Sequence, residues 1–254
     1  AAIKENTKVV YIETPSNPLL KVFDLTKIID VVKGKGIITV CDNTFCSPWI
    51  QNPLDHGFDI VMHSASKYIC GHSDVIAGIA VVSSERRDLS EEMHYLLNAS
   101  GGITGPFESF LLLRSLKTLS VRMQRHCENG KVIANFLKDH PKVGEVYWPG
   151  FQAHPNHEVA KKQMDDFGGM VSFNLVGDKL EDAIKVVSTT HYFTLAESLG
   201  GVESLIGHPA SMTHASIGDS ARKKAEITNG LMRLSVGIEN VDDIIADLNN
   251  AMKK

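Results

Sequence analysis

A chain of 254 residues that is 43% apolar and 22% charged has the composition of a soluble globular protein, with enough apolar side chain for a core of good size. Its formal net charge of −4 gives no reason to expect nucleic acid or an anionic membrane as a partner. No apolar run approaches the ~20 residues that span a bilayer. None of the four cysteines (Cys41, Cys46, Cys70, Cys127) forms a Cys-x-x-Cys pair or stands at zinc-ligand spacing to a histidine. No signal peptide opens the sequence, so the expectation is a cytoplasmic protein with reduced thiols.

The sequence begins at Ala1 without an initiator methionine, and "AAIKENTK" reads as the tail of a helix running into a strand. The expectation is therefore the C-terminal part of something longer. "VVYIE" (9–13) is β-branched and aromatic and reads as a buried strand. The two prolines of "TPSNP" end it. Asp24 caps a helix with Leu25, Ile28, Ile29 and Val32 on its apolar face, and Gly34 and Gly36 stop it. "IITVCD" (37–42) and "DIVMHS" (59–64) are further buried strands, with a short turn or helix ending at "PLDHG" between them, and "AGIAVVS" (77–83) is a fourth. Continuous apolar strands alternating with helices predict an α/β fold with a mostly parallel sheet. A long helical stretch follows from about Gly105 to Asp139, with a break or bend expected at Gly130. Later segments alternate apolar and polar residues, which predicts a second, α+β domain whose sheet has one exposed face. The expected domains are residues 1–119 and 120–254. Internal repeats and low-complexity segments are absent from the sequence.

In a parallel α/β sheet, ligands sit beyond the carboxyl ends of the strands. Three strands here end in Glu13, Asp42 and Ser64. Lys67 lies just past the third, inside "HSASKYICGHSD", flanked by Ser64 and Ser66. Hydroxyls and backbone N–H groups in a tight loop bind phosphate well. A lysine amine, a phosphate cradle and a carboxylate converging on one crevice suit pyridoxal 5'-phosphate, PLP. That cofactor needs a Schiff-base amine, phosphate donors and an acidic partner for its ring nitrogen. Each residue alone has a blander reading: a solvated lysine, a turn-forming aspartate, hydroxyls in a loop. His154-Pro-Asn-His157 lacks a third ligand nearby in sequence and reads as surface histidines, so no metal is expected. His63 and His72 bracket the lysine loop and are read as hydrogen-bonding it in place. No G-x-G-x-x-G opens a helix, which counts against a nicotinamide dehydrogenase.

"YIETPSNPLLKVFDL", "VCDNTFCSPWIQNPLDHGFDIVMHSASKY", "GHSDVIAG", "SLKTLSVRM", "FTLAESLGGVESL", "PASMTHAS" and "RLSVGIE" resemble, in order and over nearly the whole chain, the Cys/Met-metabolism family of PLP enzymes. The resemblance implies a fold type I PLP-dependent transferase. It also implies a role for each matching residue. Lys67 matches the Schiff-base lysine and Asp42 the partner of the pyridine nitrogen. Ser64 and Ser66 match phosphate-binding hydroxyls, with threonine where Ser66 stands in many relatives. Asn17 matches an asparagine beside cofactor and substrate. Arg233 matches the arginine that clamps the substrate α-carboxylate, which suits a guanidinium's paired donors. Ser198 matches a residue near the catalytic lysine, Glu197 a position that sorts substrates, and Thr213 a residue close to the site. Relatives carry about a further third of sequence ahead of this point. It holds a Gly-rich phosphate loop, a ring-stacking tyrosine and a Tyr/Arg pair lent to a neighbouring subunit.

The expected activity is cystathionine γ-lyase, with cystathionine γ-synthase close behind and then cystathionine β-lyase or methionine γ-lyase. Glu197 resembles the γ-lyase and γ-synthase type. A reading of another class is a non-catalytic fragment that assembles with a partner chain. The family implies a homotetramer, a dimer of dimers, acting on a small amino-acid substrate. The N-terminal segment would come from the full chain or from a second chain.

Overall fold

The computed structural model describes residues 2–213, 215–216 and 218–253. The first sheet has the order β1-β2-β3-β4. β1 (Val9–Glu13), β2 (Ile38–Asp42) and β3 (Ile60–Ser64) are parallel, so that Glu13 stands beside Asp42 and Asp42 beside Met62. Helix α1 (Leu25–Val32) joins β1 to β2. The Asp24 side chain accepts from Lys27 N at 3.0 Å at its start, and Gly34 and Gly36 follow its end with positive φ. The link to β3 holds the short α2 (Ser47–Ile50) and a 3-10 turn (Pro53–His56). The strand at the fourth position, β4 (Gly78–Val82), runs antiparallel to β3. Residues 65–77 between them include no crossover helix, and a parallel return needs one.

β1 is an edge strand among the described residues, and Val9 and Tyr11 are about half exposed. The expectation of a fully buried strand is corrected: nothing described covers its outer face.

Three helices follow. The sequence patterns above did not single out α3 (Arg87–Ser100). The expected long helix is two: α4 (Pro106–Leu116) and α5 (Leu119–Asp139), broken at residues 117–118 rather than at Gly130. Gly130 lies inside α5 because the helix crosses the backbone of Gly168 and Gly169 there. A Cβ on it would sit 2.6 Å from Gly168 O. The glycine serves a close approach, not a bend.

The second sheet has the order β5-β6-β9-β8-β7, formed by β5 (Val143–Tyr147), β6 (Met170–Leu175), β7 (Thr194–Leu195), β8 (Leu205–Gly207) and β9 (Met232–Ser235). Helices α6 (His157–Gln163), α7 (Leu180–Val187), α8 (Asp219–Lys224) and α9 (Val241–Lys253) complete the fold. One face of this sheet makes the main core: Val171, Phe173, Ile206, Met232 and Leu234 pack on Ile133 and Leu137 of α5, Val186 of α7, and Ile244 and Leu248 of α9.

The opposite face carries the polar partners of that alternation, and it does not meet water. β9 is buried throughout, including Arg233 and Ser235, and Ser172 of β6 is fully buried. The expected exposed face is corrected, and the reason is packing. Ser172 Oγ donates to Pro18 O at 2.6 Å, and Arg233 donates to Asn17, so this face closes against the loop that follows β1. The polar positions of the second sheet become a wall facing the carboxyl edge of the first.

Candidate active site

Lys67 sits in the turn that follows β3. Its backbone N–H donates to Ser64 O at 3.1 Å, and its carbonyl accepts from Gly71 N at 2.7 Å. The side chain is half-buried, and Nζ donates to Ser198 Oγ at 3.2 Å. Burial lowers its pKa from the ordinary lysine value, and the Arg233 guanidinium adds to that. The loop carrying Ser198 lies tight against this turn. Gly200 has φ +76, and a Cβ there would sit 2.6 Å from Tyr68 N, so only glycine lets the "AESLGG" loop approach.

Asp42 ends β2. Its Oδ1 accepts from Thr44 N at 3.0 Å and its Oδ2 from Tyr11 Oη at 3.4 Å. Thr44 Oγ1 in turn accepts from Ser64 N at 2.8 Å. The Ser64 hydroxyl makes no hydrogen bond among the described residues. Ser66 Oγ accepts from Ala77 N at 2.9 Å and donates to Ala77 O at 3.3 Å, so its hydroxyl already pins the loop to the start of β4.

Arg233 comes from the second sheet and is 3% exposed. Nη1 donates to Asn17 Oδ1 at 3.0 Å, and Nη2 donates to the carbonyls of Glu197 (3.2 Å) and Ser198 (3.0 Å). Burial lowers its pKa, against the pull of Tyr68, Glu13 and Glu197. Glu197 reaches this cluster through its carbonyl; its side chain is exposed. Thr213 lines a small void together with Glu197 and Arg233.

Glu13 and Thr44 join this set without having been assigned a role from sequence. Glu13 Oε2 accepts from Asn17 N at 3.4 Å. Burial raises its pKa, the Asn17 N–H opposes that, and Asp42 raises it further. The signal was available, because parallel strands ending together put Glu13 beside Asp42. The contacts then close on themselves. They run from Lys67 through Ser198, Arg233, Asn17 and Glu13, across the β1–β2 pairing to Asp42, and through Thr44 and Ser64 back to Lys67.

The histidines divide. His72 Nδ1 donates to Cys70 O at 2.7 Å and so braces the loop, whereas His63 Nδ1 is buried with no partner among the described residues. His154 and His157 are half-buried rather than surface residues, and each binds a backbone carbonyl, those of Leu20 (3.1 Å) and Pro149 (2.9 Å).

None of Lys67, Asp42, Glu13 and Arg233 belongs to an ion pair among the described residues. A partly buried charge without a partner is costly, which marks a place built to receive one. A group bearing an aldehyde, a protonated ring nitrogen and a phosphate meets this donor set. Lys67 offers the amine, Asp42 the carboxylate for the nitrogen, and Ser64 an uncommitted hydroxyl. The residues present fit PLP.

The sequence pattern of the family described as Cys/Met metabolism PLP-dependent enzyme matches residues 1–253. The chain belongs to that family. It is 55% identical over 251 residues to a cystathionine beta-lyase of Coxiella burnetii, covering 99% of this chain and 64% of that protein. It is 49% identical over 252 residues to a cystathionine gamma-lyase of Bacillus subtilis, covering 99% and 65%. Among solved structures, it superposes on a cystathionine gamma-lyase from Lactobacillus plantarum complexed with L-serine with a TM-score of 0.94 at 46% identity, covering 99% of this chain and 65% of that one. The chain thus spans just under two thirds of the length of these family members. Its α/β architecture is the family's. No helix among the described residues is long and apolar enough to cross a membrane.

Proposed function

We propose that this chain carries the lysine-bearing part of the active site of a PLP-dependent carbon–sulfur lyase, and that its reaction is the α,γ-elimination of cystathionine to cysteine, 2-oxobutanoate and ammonia. The observation that carries the reading is the pairing of Lys67 and Arg233 through Ser198, one from each sheet, neither with a carboxylate partner. An amino-acid substrate needs this pair: an amine to move its α-proton and a fork to hold its carboxylate.

In this reading Lys67, Asp42, Ser64 and Asn17 hold PLP, with Ser66 joining them by exchanging its 3.3 Å bond to Ala77 O, and PLP when bound supplies an electron sink for the pair left on the substrate α-carbon. Arg233 takes the substrate carboxylate through two parallel donors, with Asn17, Ser198, Glu197 and Thr213 around it. Lys67 Nζ removes the α-proton. Its pKa lies below the usual lysine range, so a larger share of the amine is free to act as a base near neutral pH. Ser198 Oγ, 3.2 Å away, keeps that amine aimed between the two sheets. The α,γ-course also asks Nζ to carry a proton onward along the substrate, and a half-buried amine limits its loss to bulk water.

The glutamate type at position 197, which resembles that of γ-lyases and γ-synthases, supports γ- over β-elimination. The β-course is favoured by the likeness to the Coxiella burnetii beta-lyase, and the γ-synthase course by the solved cystathionine gamma synthase of Xanthomonas oryzae pv. oryzae, matched with a TM-score of 0.93. Incubating the complete holoenzyme with cystathionine and identifying the products separates these. Cysteine with 2-oxobutanoate supports the proposal, and homocysteine with pyruvate replaces it with β-elimination. No turnover of cystathionine alone, but turnover of an O-acylhomoserine with cysteine, gives the synthase. We propose further that residues 1–119 and 120–254 are the two domains, and that the working form is a cytoplasmic homotetramer. The N-terminal segment would be supplied by the full chain or a second chain.

A further inference from the structure

Arg122 of α5 is 4% exposed and belongs to no ion pair among the described residues. A guanidinium in that position is expensive, and burial lowers its pKa. Its donors are nonetheless used. Nη1 donates to Tyr68 O at 2.6 Å, Nη2 to Ile69 O at 3.2 Å and Ser115 O at 3.0 Å, and Nε to Thr118 Oγ1 at 3.2 Å.

Two of those acceptors belong to the turn that carries Lys67. Residues 65–70 form a run of tight turns, in which Cys70 N donates to Ala65 O and Gly71 N to Lys67 O. The carbonyls of Tyr68, Ile69 and Cys70 accept no backbone N–H from within the turn. Arg122 takes those of Tyr68 and Ile69, His72 takes that of Cys70, and Val202 N takes that of Gly71 at 2.8 Å. A cation at the carbonyl end of a turn is favourable for the same reason that it is at a helix C-terminus. Gly71 has φ +72, and a Cβ on it would collide with Arg122 Nη1, so the glycine admits the guanidinium. The turn is thus held from two sides, by Gly200 against Tyr68 N and Lys67, and by Arg122 beneath its carbonyls.

We propose that Arg122 is a positioning residue that fixes the Lys67 turn, and through it the location of Nζ between the two sheets. Its four donated bonds leave it no role toward substrate. Without it, two buried carbonyls of the turn lose their donors, and the turn moves to find others. A displacement of about 1 Å at a reacting atom costs on the order of 10²-fold in rate.

The inference rests on the reading of Lys67 as the reactive amine, and its test separates the two. In the complete apo-protein, the pH dependence of Lys67 acylation by acetic anhydride, followed by mass spectrometry of its peptide, reports the amine without any cofactor. Burial and then the Arg233 guanidinium lower its pKa, and Ser198 Oγ is the polar neighbour it donates to. Arg122→Met is expected to move the midpoint up toward the ordinary lysine value of ~10.4 as the amine becomes solvated. Arg122→Lys, which keeps the charge but not the fork, is expected to move it nearly as far. In the holoenzyme, borohydride reduction then gives pyridoxyl-Lys67 in wild type, with kcat down on the order of 10²-fold and KM little changed in both variants. An unchanged acylation midpoint in both variants, with only a lower melting temperature, overturns the inference. So does full rescue by Arg122→Lys, which would make Arg122 a charge and not a clamp. A wild type without pyridoxyl-Lys67 removes the PLP reading and leaves the acylation result to decide the inference. If neither Arg122 variant folds, Thr118→Val loosens the guanidinium while keeping it. A smaller upward shift there supports the inference, and no shift overturns it.

Discussion

Three buried or half-buried cationic side chains, Lys67, Arg122 and Arg233, are held by carbonyls and hydroxyls rather than by carboxylates. Each gives a different expectation. Lys67→Ala should abolish turnover, since it removes the amine placed between the two sheets, and near-normal product formation in that variant would end the mechanism. Arg233→Lys keeps a charge but loses the fork and leaves two carbonyls and Asn17 short of donors. Hydrogen bonds to charged groups are worth about 1.5–3 kcal/mol, so a rise in KM of roughly 10- to 100-fold is expected in steady-state kinetics. His126 is another buried residue with a measurable consequence. Its Nδ1 donates to Val236 O at 2.7 Å, and burial pushes its pKa down to about 4. The unfolded chain takes up a proton near pH 6.5 that the folded one refuses until about 4. Stability therefore falls by about 3 kcal/mol as pH drops across that window and is level above it. His126→Asn, which can still donate to Val236 O, should flatten that limb of a melting-temperature profile; an unchanged limb would assign the acid sensitivity elsewhere.

At the level of elements, packing decided what local pattern could not. Gly130 reads as a helix breaker from propensity alone, yet α5 runs straight through it because the Gly168–Gly169 backbone passes there. Gly130→Ala tests the two effects against each other. Helix propensity favours alanine by about 1 kcal/mol, but a Cβ at 2.6 Å from a carbonyl oxygen forces the helix off its neighbour, and overpacking costs about 1–3 kcal/mol. A lower melting temperature is expected, and a rise would show that the turn yields. α1 was legible because its cap, apolar stripe and glycine stop are all local. α3 was not, since only Leu89 of its 14 residues is buried and its other large apolar residues, Tyr95, Leu96 and Leu97, lie exposed. The polar positions of β6 and β9 misled for another reason. Alternation tells that a sheet has two unlike faces, but not that the polar one is covered, which only the loop after β1 decides.

Taken as a molecule, the chain places its candidate site residues where two sheets meet. The carboxyl edge of the first supplies Asp42, Ser64 and Lys67, and the inner polar face of the second supplies Arg233. Phe107, Phe110 and Leu113 of α4 and Val9 and Tyr11 of β1 lie exposed, on a chain that spans just under two thirds of its family members. The candidate residues on the first sheet could be read from strand ends and hydroxyl spacing. Arg233 came from family likeness alone, since a lone arginine in a strand names no partner so far away in sequence. Glu13 and Thr44 stayed silent because their part is to hold other site residues. Those holding contacts return to where they begin, so no link in them has an end free to relax by itself. Energies inside such a loop are shared. Asn17→Ala and Ser198→Ala, which cut it on either side of Arg233, should together cost less than the sum of their separate effects on kcat/KM, the first cut having already released what the second would release. A double-mutant cycle that sums within ~0.3–0.5 kcal/mol would instead show two independent contacts, the Ser198 hydroxyl on Lys67 and the Asn17 amide on Arg233.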